Sequence, residues 1–251
     1  KKVVDDYGNF DVIFCSSILD HSSSIKNFFN FFNKILKNNG ILIVEVPDNT
    51  KSIKQGNAIF FWEEHRFYFT INSLLNIAKF NKFYKKKLIQ YKYPQEDFIN
   101  AIFCKKNNNL DEIKKKQVNP LVKFNNKFLQ FKKKSNKIID YYKKNNYKIY
   151  LFGAGHNSIK FIFFYNLNKI IDNVIDDNPK KFNYLVPSTN INITNSDILK
   201  ESKTNKILII NGASIKNETK IFQSLKNKFT GKIIKFKSIY TASNKFIFKN
   251  D

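Results

Sequence analysis

The chain has 251 residues and a formal charge of +24, from 44 Lys and Arg against 20 Asp and Glu. At 42% hydrophobic and 16% aromatic it carries too much apolar material for a disordered chain and enough for one or two cored domains. Two cysteines, Cys15 and Cys104, exclude a disulfide framework and a cysteine-based zinc cluster within these residues, and no apolar run approaches the ~18 residues of a spanning helix.

The first elements read as strand, helix, strand. Phe10 to Cys15 is expected as a short buried strand. Ser22 to Leu36 follows with Ile25, Phe28, Phe29, Phe32, Ile35 and Leu36 on one helical face, and the serines before them supply an N-cap. Asn38-Asn39-Gly40 is expected to stop that helix through a left-handed C-cap, and Ile41 to Val46 to form the next strand, ended by Pro47. Such a unit favours parallel strands and a right-handed crossover. Asp48 to Asn57 reads as a loop. A helix starts near Asn72, and Lys87–Tyr93 and Asn100–Lys105 read as a closing pair of strands.

Residues 106–146 lack glycine and are dense in Lys and Asn; Phe124, Phe128, Phe131, Ile138 and Tyr142 keep helical spacing, which predicts a connecting helix after Pro120. From Lys148 the alternation resumes. A strand over 149–152 runs into Gly153-Ala154-Gly155, a helix continues from Ile159, and strands are expected at 171–175, 206–210 and 232–236, with a helix over 217–229. Alternating strands and helices predict a small open α/β sheet, Rossmann-like. The expected division is 1–105, a helical linker over 106–147, and 148–251.

In open α/β sheets ligands bind beyond the carboxyl ends of the strands. Cys15–His21, Pro47–His65 and Gly153–His156 occupy such ends and hold all three histidines, His21, His65 and His156. In Trp62-Glu63-Glu64-His65 an imidazole that titrates near neutrality has carboxylates beside it, the combination needed to take a proton from carbon next to a carbonyl; a charged surface loop would look the same. Gly153-Ala154-Gly155 suits either a phosphate at a helix N-terminus or a tight strand–helix turn. Asp176, about twenty residues on, stands where a dinucleotide fold places its ribose-binding acid.

These residues carry a family resemblance. Asp11-Val12-Ile13, Leu19-Asp20-His21 and Leu36-Lys37-Asn38-Asn39-Gly40 before Ile41–Pro47 resemble the later half of class I S-adenosylmethionine-dependent methyltransferases, with Asp20 in place of a glutamate and Asn38-Asn39 in place of pro-gly. Glu64-His65 followed by Phe69-Thr70 and Ser73-Leu74 resembles the C-methyltransferase branch acting on nucleotide-linked keto-deoxysugars, with Trp62 at that branch's tyrosine position. Asp177-Asn178-Pro179-Lys180-Lys181 and Val186-Pro187-Ser188-Thr189 through Ile193 resemble the branch's C-terminal domain.

The fold implied is α/β: a partial class I methyltransferase sheet, a helical linker and a second small Rossmann-like domain. By the resemblance, His65 takes the proton beside a 4-keto group and Glu64 orients its imidazole. Cys15, Ser16, Ser17 and His21 contact S-adenosylmethionine at an incomplete site. Trp62, Gly153, Gly155, His156 and Asp177 contact the nucleotide sugar. Zinc is expected only in a domain upstream of Lys1, since the chain, without any methionine, reads as an N-terminally truncated piece; activity is expected only with that part present. Two alternatives stand beside this reading: a catalytically inactive nucleotide-sugar-binding module, and a basic RNA-binding or RNA-modifying protein. Nearly all the positive charge is scattered lysine with Arg66 the single arginine, which favours solvated helix faces over a nucleic-acid surface. A membrane partner is not expected, and the location is expected to be cytoplasmic.

Overall fold

The computed structural model describes residues 2–92, 97–105, 120–240 and 243–249. The chain is mixed α/β with parallel strand pairing in two separate sheets. Two compact units divide it, one formed by Lys1–Gln55 and Phe61–Phe124, the other by Gly56–Phe60 and Asn125–Asp251.

The first unit opens with helix α1 (Lys2–Tyr7) and strand β1 (Phe10–Ser16), followed by α2 (Ile25–Ile35) and β2 (Leu36–Asp48). Ser24 caps α2, its hydroxyl accepting from the Asn27 backbone N–H, and Ile25, Phe29 and Ile35 are buried from it. At the far end the Lys105 ammonium donates to the Asn33 and Leu36 carbonyls, satisfying acceptors that the helix leaves open. β1 pairs parallel with β2. After α3 (Thr50–Gln55), α4 (Ile71–Phe80) starts in a reciprocal cap between Thr70 and Ser73. The antiparallel strands β3 (Tyr84–Tyr91) and β4 (Asp97–Cys104) then complete a sheet ordered β1-β2-β4-β3. Leu19, Phe29, Leu42, Val44, Leu74, Phe83, Ile99 and Phe103 belong to its core.

Three local expectations change here. Gly40 is not a left-handed cap: the helix ends at Ile35 and the chain enters β2 directly, with Gly40 inside the strand. A Cβ there would lie 2.8 Å from Leu36 Cδ1 and 2.9 Å from the Asp11 carbonyl, so the glycine serves close backbone approach. β1 is not a buried strand, because it lies at the edge of the sheet with Val12 53% and Phe14 61% exposed. The loop expected over 48–57 contains α3, started by the Asp48 carboxylate accepting from the Thr50 N–H and hydroxyl.

The second unit begins in helix α5 (Pro120–Lys144) and continues through β5 (Lys148–Phe152), α6 (His156–Phe164), β6 (Asn173–Ile175), β7 (Ile193–Thr194), α7 (Ile198–Glu201), β8 (Lys206–Asn211), α8 (Glu218–Lys228) and β9 (Ile233–Ser238). The connecting helix after Pro120 is present; positions 106–119 of the expected linker lie outside the described residues. Five parallel strands stand in the order β7-β6-β5-β8-β9. The central strands are buried on both faces, as parallel strands with helical crossovers must be. β7 was not expected; two residues carry no periodicity to read. Among the described residues no helix is long and apolar enough to cross a membrane.

Candidate functional site

Because β1 and β2 run parallel, both send their chains out at the same edge of the sheet. β1 ends at Ser16, and Ser17 turns the backbone at φ +50° while its N–H still donates to the Glu45 carbonyl at 2.9 Å. The next residues fold into two tight turns, His21 N–H to Ile18 O and Ser22 N–H to Leu19 O. This places Asp20 against the core at 2% exposure.

The segment that follows β2 and α3 returns to the same turn. Arg66 and Phe67 donate their backbone N–H groups to the Asp20 carbonyl at 2.9 and 3.1 Å. Within the returning loop the Tyr68 hydroxyl accepts from the Trp62 N–H at 3.1 Å and donates to the Trp62 carbonyl at 2.6 Å, and the His65 N–H donates to that same carbonyl. The Tyr68 ring also packs edge-on against Phe61, with centroids 4.7 Å apart. One phenol thus holds the loop that carries His65.

Three polar side chains meet there. Nε2 of His65 lies 3.3 Å from Asp20 Oδ2, and Nε2 of His21 lies 3.8 Å from the same oxygen. The two imidazoles cross at 89° with centroids 4.7 Å apart. Nδ1 of His21 faces the Glu64 carbonyl at 3.2 Å. Among the described residues neither Asp20 oxygen accepts a hydrogen bond, so the carboxylate acts on both rings through its charge in a place shielded from water. That charge favours a proton on Nε2 of His65 and leaves Nδ1 as the basic nitrogen of the ring.

A family model described as the C-methyltransferase C-terminal domain matches residues 104–234, just over half of the chain. The chain belongs to this C-methyltransferase family. No curated protein matches it. A methyltransferase domain implies S-adenosylmethionine as methyl donor, whose electrophilic methyl group such enzymes transfer.

Set against that chemistry, the expected site residues fall into groups. His65, His21 and the Glu64 backbone come together at the strand ends. Glu64 enters through its carbonyl, its side chain being exposed, and the carboxylate beside the His65 imidazole is that of Asp20. Trp62 stands near His65, ring centroids 6.5 Å apart. Cys15 is buried and its thiol is pushed up to about 11 by burial, with Asp20 adding to the effect, so it stays neutral. The Ser16 hydroxyl donates to Glu45 Oε1 at 2.8 Å. Of the four expected cofactor contacts, one side chain is thus buried and another hydrogen-bonded within the protein. Ser17 and Ile18 are exposed at the strand end.

Gly153, Gly155, His156 and Asp177 belong to the second unit. Gly153 has φ +96°, and a Cβ there would lie 2.8 Å from the Ala213 backbone nitrogen, so packing against the turn after β8 accounts for this glycine. Gly155 precedes α6 with open space where a side chain would go. His156 and Asp177 are exposed. Asp176 is engaged within the protein: its Oδ2 accepts from the Ala154 N–H at 2.7 Å and pairs with Lys181 Nζ at 3.0 Å, and its Oδ1 accepts from the Asn178 N–H. Asp20 and Tyr68 are the side chains of this cluster that sequence reasoning left out of the candidate site. Asp20 had a signal, a carboxylate next to a histidine at the end of an apolar strand; for Tyr68 nothing separates it from the aromatic residues around it.

Proposed function

We propose that the chain forms part of an S-adenosylmethionine-dependent C-methyltransferase whose substrate is a nucleotide-linked keto-deoxysugar. The observation carrying this reading is the buried Asp20 carboxylate 3.3 Å from His65 Nε2, at strand ends, in a chain of the C-methyltransferase family. A ring nitrogen of His65 takes the proton from the carbon beside the keto group, and the C–H electron pair becomes an enolate. Asp20 stabilises the imidazolium that results. Tyr68 and the two N–H bonds to the Asp20 carbonyl hold both partners in place, so that little reorganisation is needed as charge develops. S-adenosylmethionine, when bound, would supply the electrophilic methyl: the enolate pair would form the new C–C bond as the methyl–sulfur bond breaks and the sulfonium leaves as the neutral thioether. The Asp177–Lys181 and Val186–Ile193 motifs support the sugar class.

The test separates proton removal from methyl transfer. Incubated in D2O with a nucleotide-linked 4-keto-deoxysugar, the protein is expected to exchange the proton beside the keto group. His65→Ala should slow exchange by about 10²–10⁴-fold, Asp20→Asn by a comparable factor, and Glu64→Gln little. Exchange unaffected by His65→Ala overturns the assignment. A second reading, binding without turnover, draws support from the buried Cys15 and hydrogen-bonded Ser16 side chains, and would appear as nucleotide-sugar binding with neither exchange nor transfer.

A further inference from the structure

Asp20 presents an electrostatic problem that its two neighbours sharpen. Its carboxylate is buried and, among the described residues, accepts no hydrogen bond, a costly state for a charge unless a cation stands beside it. The Glu64 carbonyl 3.2 Å from His21 Nδ1 can only accept, so that nitrogen carries the ring's proton and Nε2 of neutral His21 turns a bare lone pair toward Asp20 Oδ2 at 3.8 Å. Acceptor facing acceptor calls for a positive centre between them. A carbonyl holding the far nitrogen is also the outer support that fixes metal-binding histidines.

We propose that Asp20, His21 and His65 bind one divalent transition-metal ion through Asp20 Oδ2 and the two Nε2 atoms. One ligand atom from each residue lies within 4.8 Å of the other two. Ligands at ~2.0–2.2 Å from a tetrahedral ion stand roughly 3.4 Å apart. The His65–Asp20 separation of 3.3 Å already meets that figure, and the His21 contact at 3.8 Å needs a small closing movement of a half-exposed ring. Two imidazoles and one carboxylate suit zinc, cobalt or ferrous iron and leave coordination positions open for a further oxygen ligand. The site differs from any cysteine-bound zinc, since neither cysteine is part of it.

Binding has a chemical corollary. A neutral imidazole coordinated through Nε2 carries its proton on Nδ1, so a metal on His65 moves the proton to the nitrogen that would act as base. Metal-loaded and proton-abstracting forms of His65 exclude each other.

The experiment uses the full chain freed of metal by chelator, at mildly alkaline pH, with Co²⁺ followed by its visible absorption and Zn²⁺ by titration calorimetry. The expected result is one equivalent per chain and a Kd of about 1 µM or below. His21→Ala should weaken binding ~100-fold or more, and Asp20→Asn should do the same with circular dichroism reporting whether the fold is kept. Because His21 is half-exposed, its variant stays informative even if the buried Asp20 variant fails to fold. Absence of binding, or binding unchanged in His21→Ala, overturns the proposal and leaves a proton as the cation between the groups. The readout needs no methyl transfer, so its failure is distinct from failure of the proposed activity.

Discussion

Asp176 illustrates how one side chain can look like a ligand contact and act as a fastener. Both of its oxygens accept hydrogen bonds, from the Asn178 and Ala154 N–H groups, and Lys181 pairs with Oδ2. Burial opposes its ionisation, but those bonds and the lysine outweigh it and hold the carboxyl below the ordinary range. A depressed folded pKa gives stabilisation that is present above the unfolded value of about 4 and is lost as pH falls through the folded one. Asp176→Asn is therefore expected to lower stability by about 1–3 kcal/mol near neutrality, with the gap to the parent narrowing in acid. Urea titrations at neutral pH and below about pH 3 check this; an equal gap at both would show that the charge contributes nothing. At this scale the sequence located His21 and His65 but not their partner. The Asp20–His65 meeting joins positions far apart along the chain, and local spacing holds no record of it, whereas Glu64 is favoured by its adjacency to His65 and by the family resemblance.

Elements were more legible than contacts. Helix α2 follows from apolar spacing and a serine cap, and the central strands of the second sheet from unbroken apolar runs. Gly40 misled, because glycine near a helix end signals a turn as readily as it permits two backbones to approach. The turn between β5 and α6 separates these roles experimentally. Gly153→Ala meets both a disfavoured φ and the Ala213 backbone, and should cost about 2 kcal/mol or more. Gly155→Ala faces open space and should cost under about 1 kcal/mol. Thermal denaturation of the two variants distinguishes them. If Gly155→Ala keeps its melting temperature and loses affinity for a nucleotide diphosphate, Gly155 belongs to a ligand site; comparable losses of stability in both would contradict the packing account of Gly153.

Over the whole molecule, the short stretch from Gly56 to Phe60 stands out, since the chain enters the second unit there and departs again before Phe61. Ile59 is 1% and Phe60 8% exposed within that unit's core, and the Phe60 ring lies 6.4 Å from that of Tyr240. Gly56 has φ +68°, and a Cβ on it would fall 2.4 Å from the backbone of Lys127 and Phe128 in α5. Gly56→Ala should therefore destabilise the second unit by about 2 kcal/mol or more, read by hydrogen exchange along α5. An unchanged exchange pattern would show that α5 yields without penalty. No linear reading of composition finds such an interruption, because five residues are too few to shift any average.

That pentapeptide bears on how the two units are inherited. Residues 125–251 moved alone onto a foreign first unit would lack, among other buried groups, the large interior side chains of Ile59 and Phe60, worth about 3–6 kcal/mol together when fully buried. Gene fusion at a single joint thus yields a damaged product, and a lineage swapping partners would have to transplant a second, separate scrap of coding sequence in the same event.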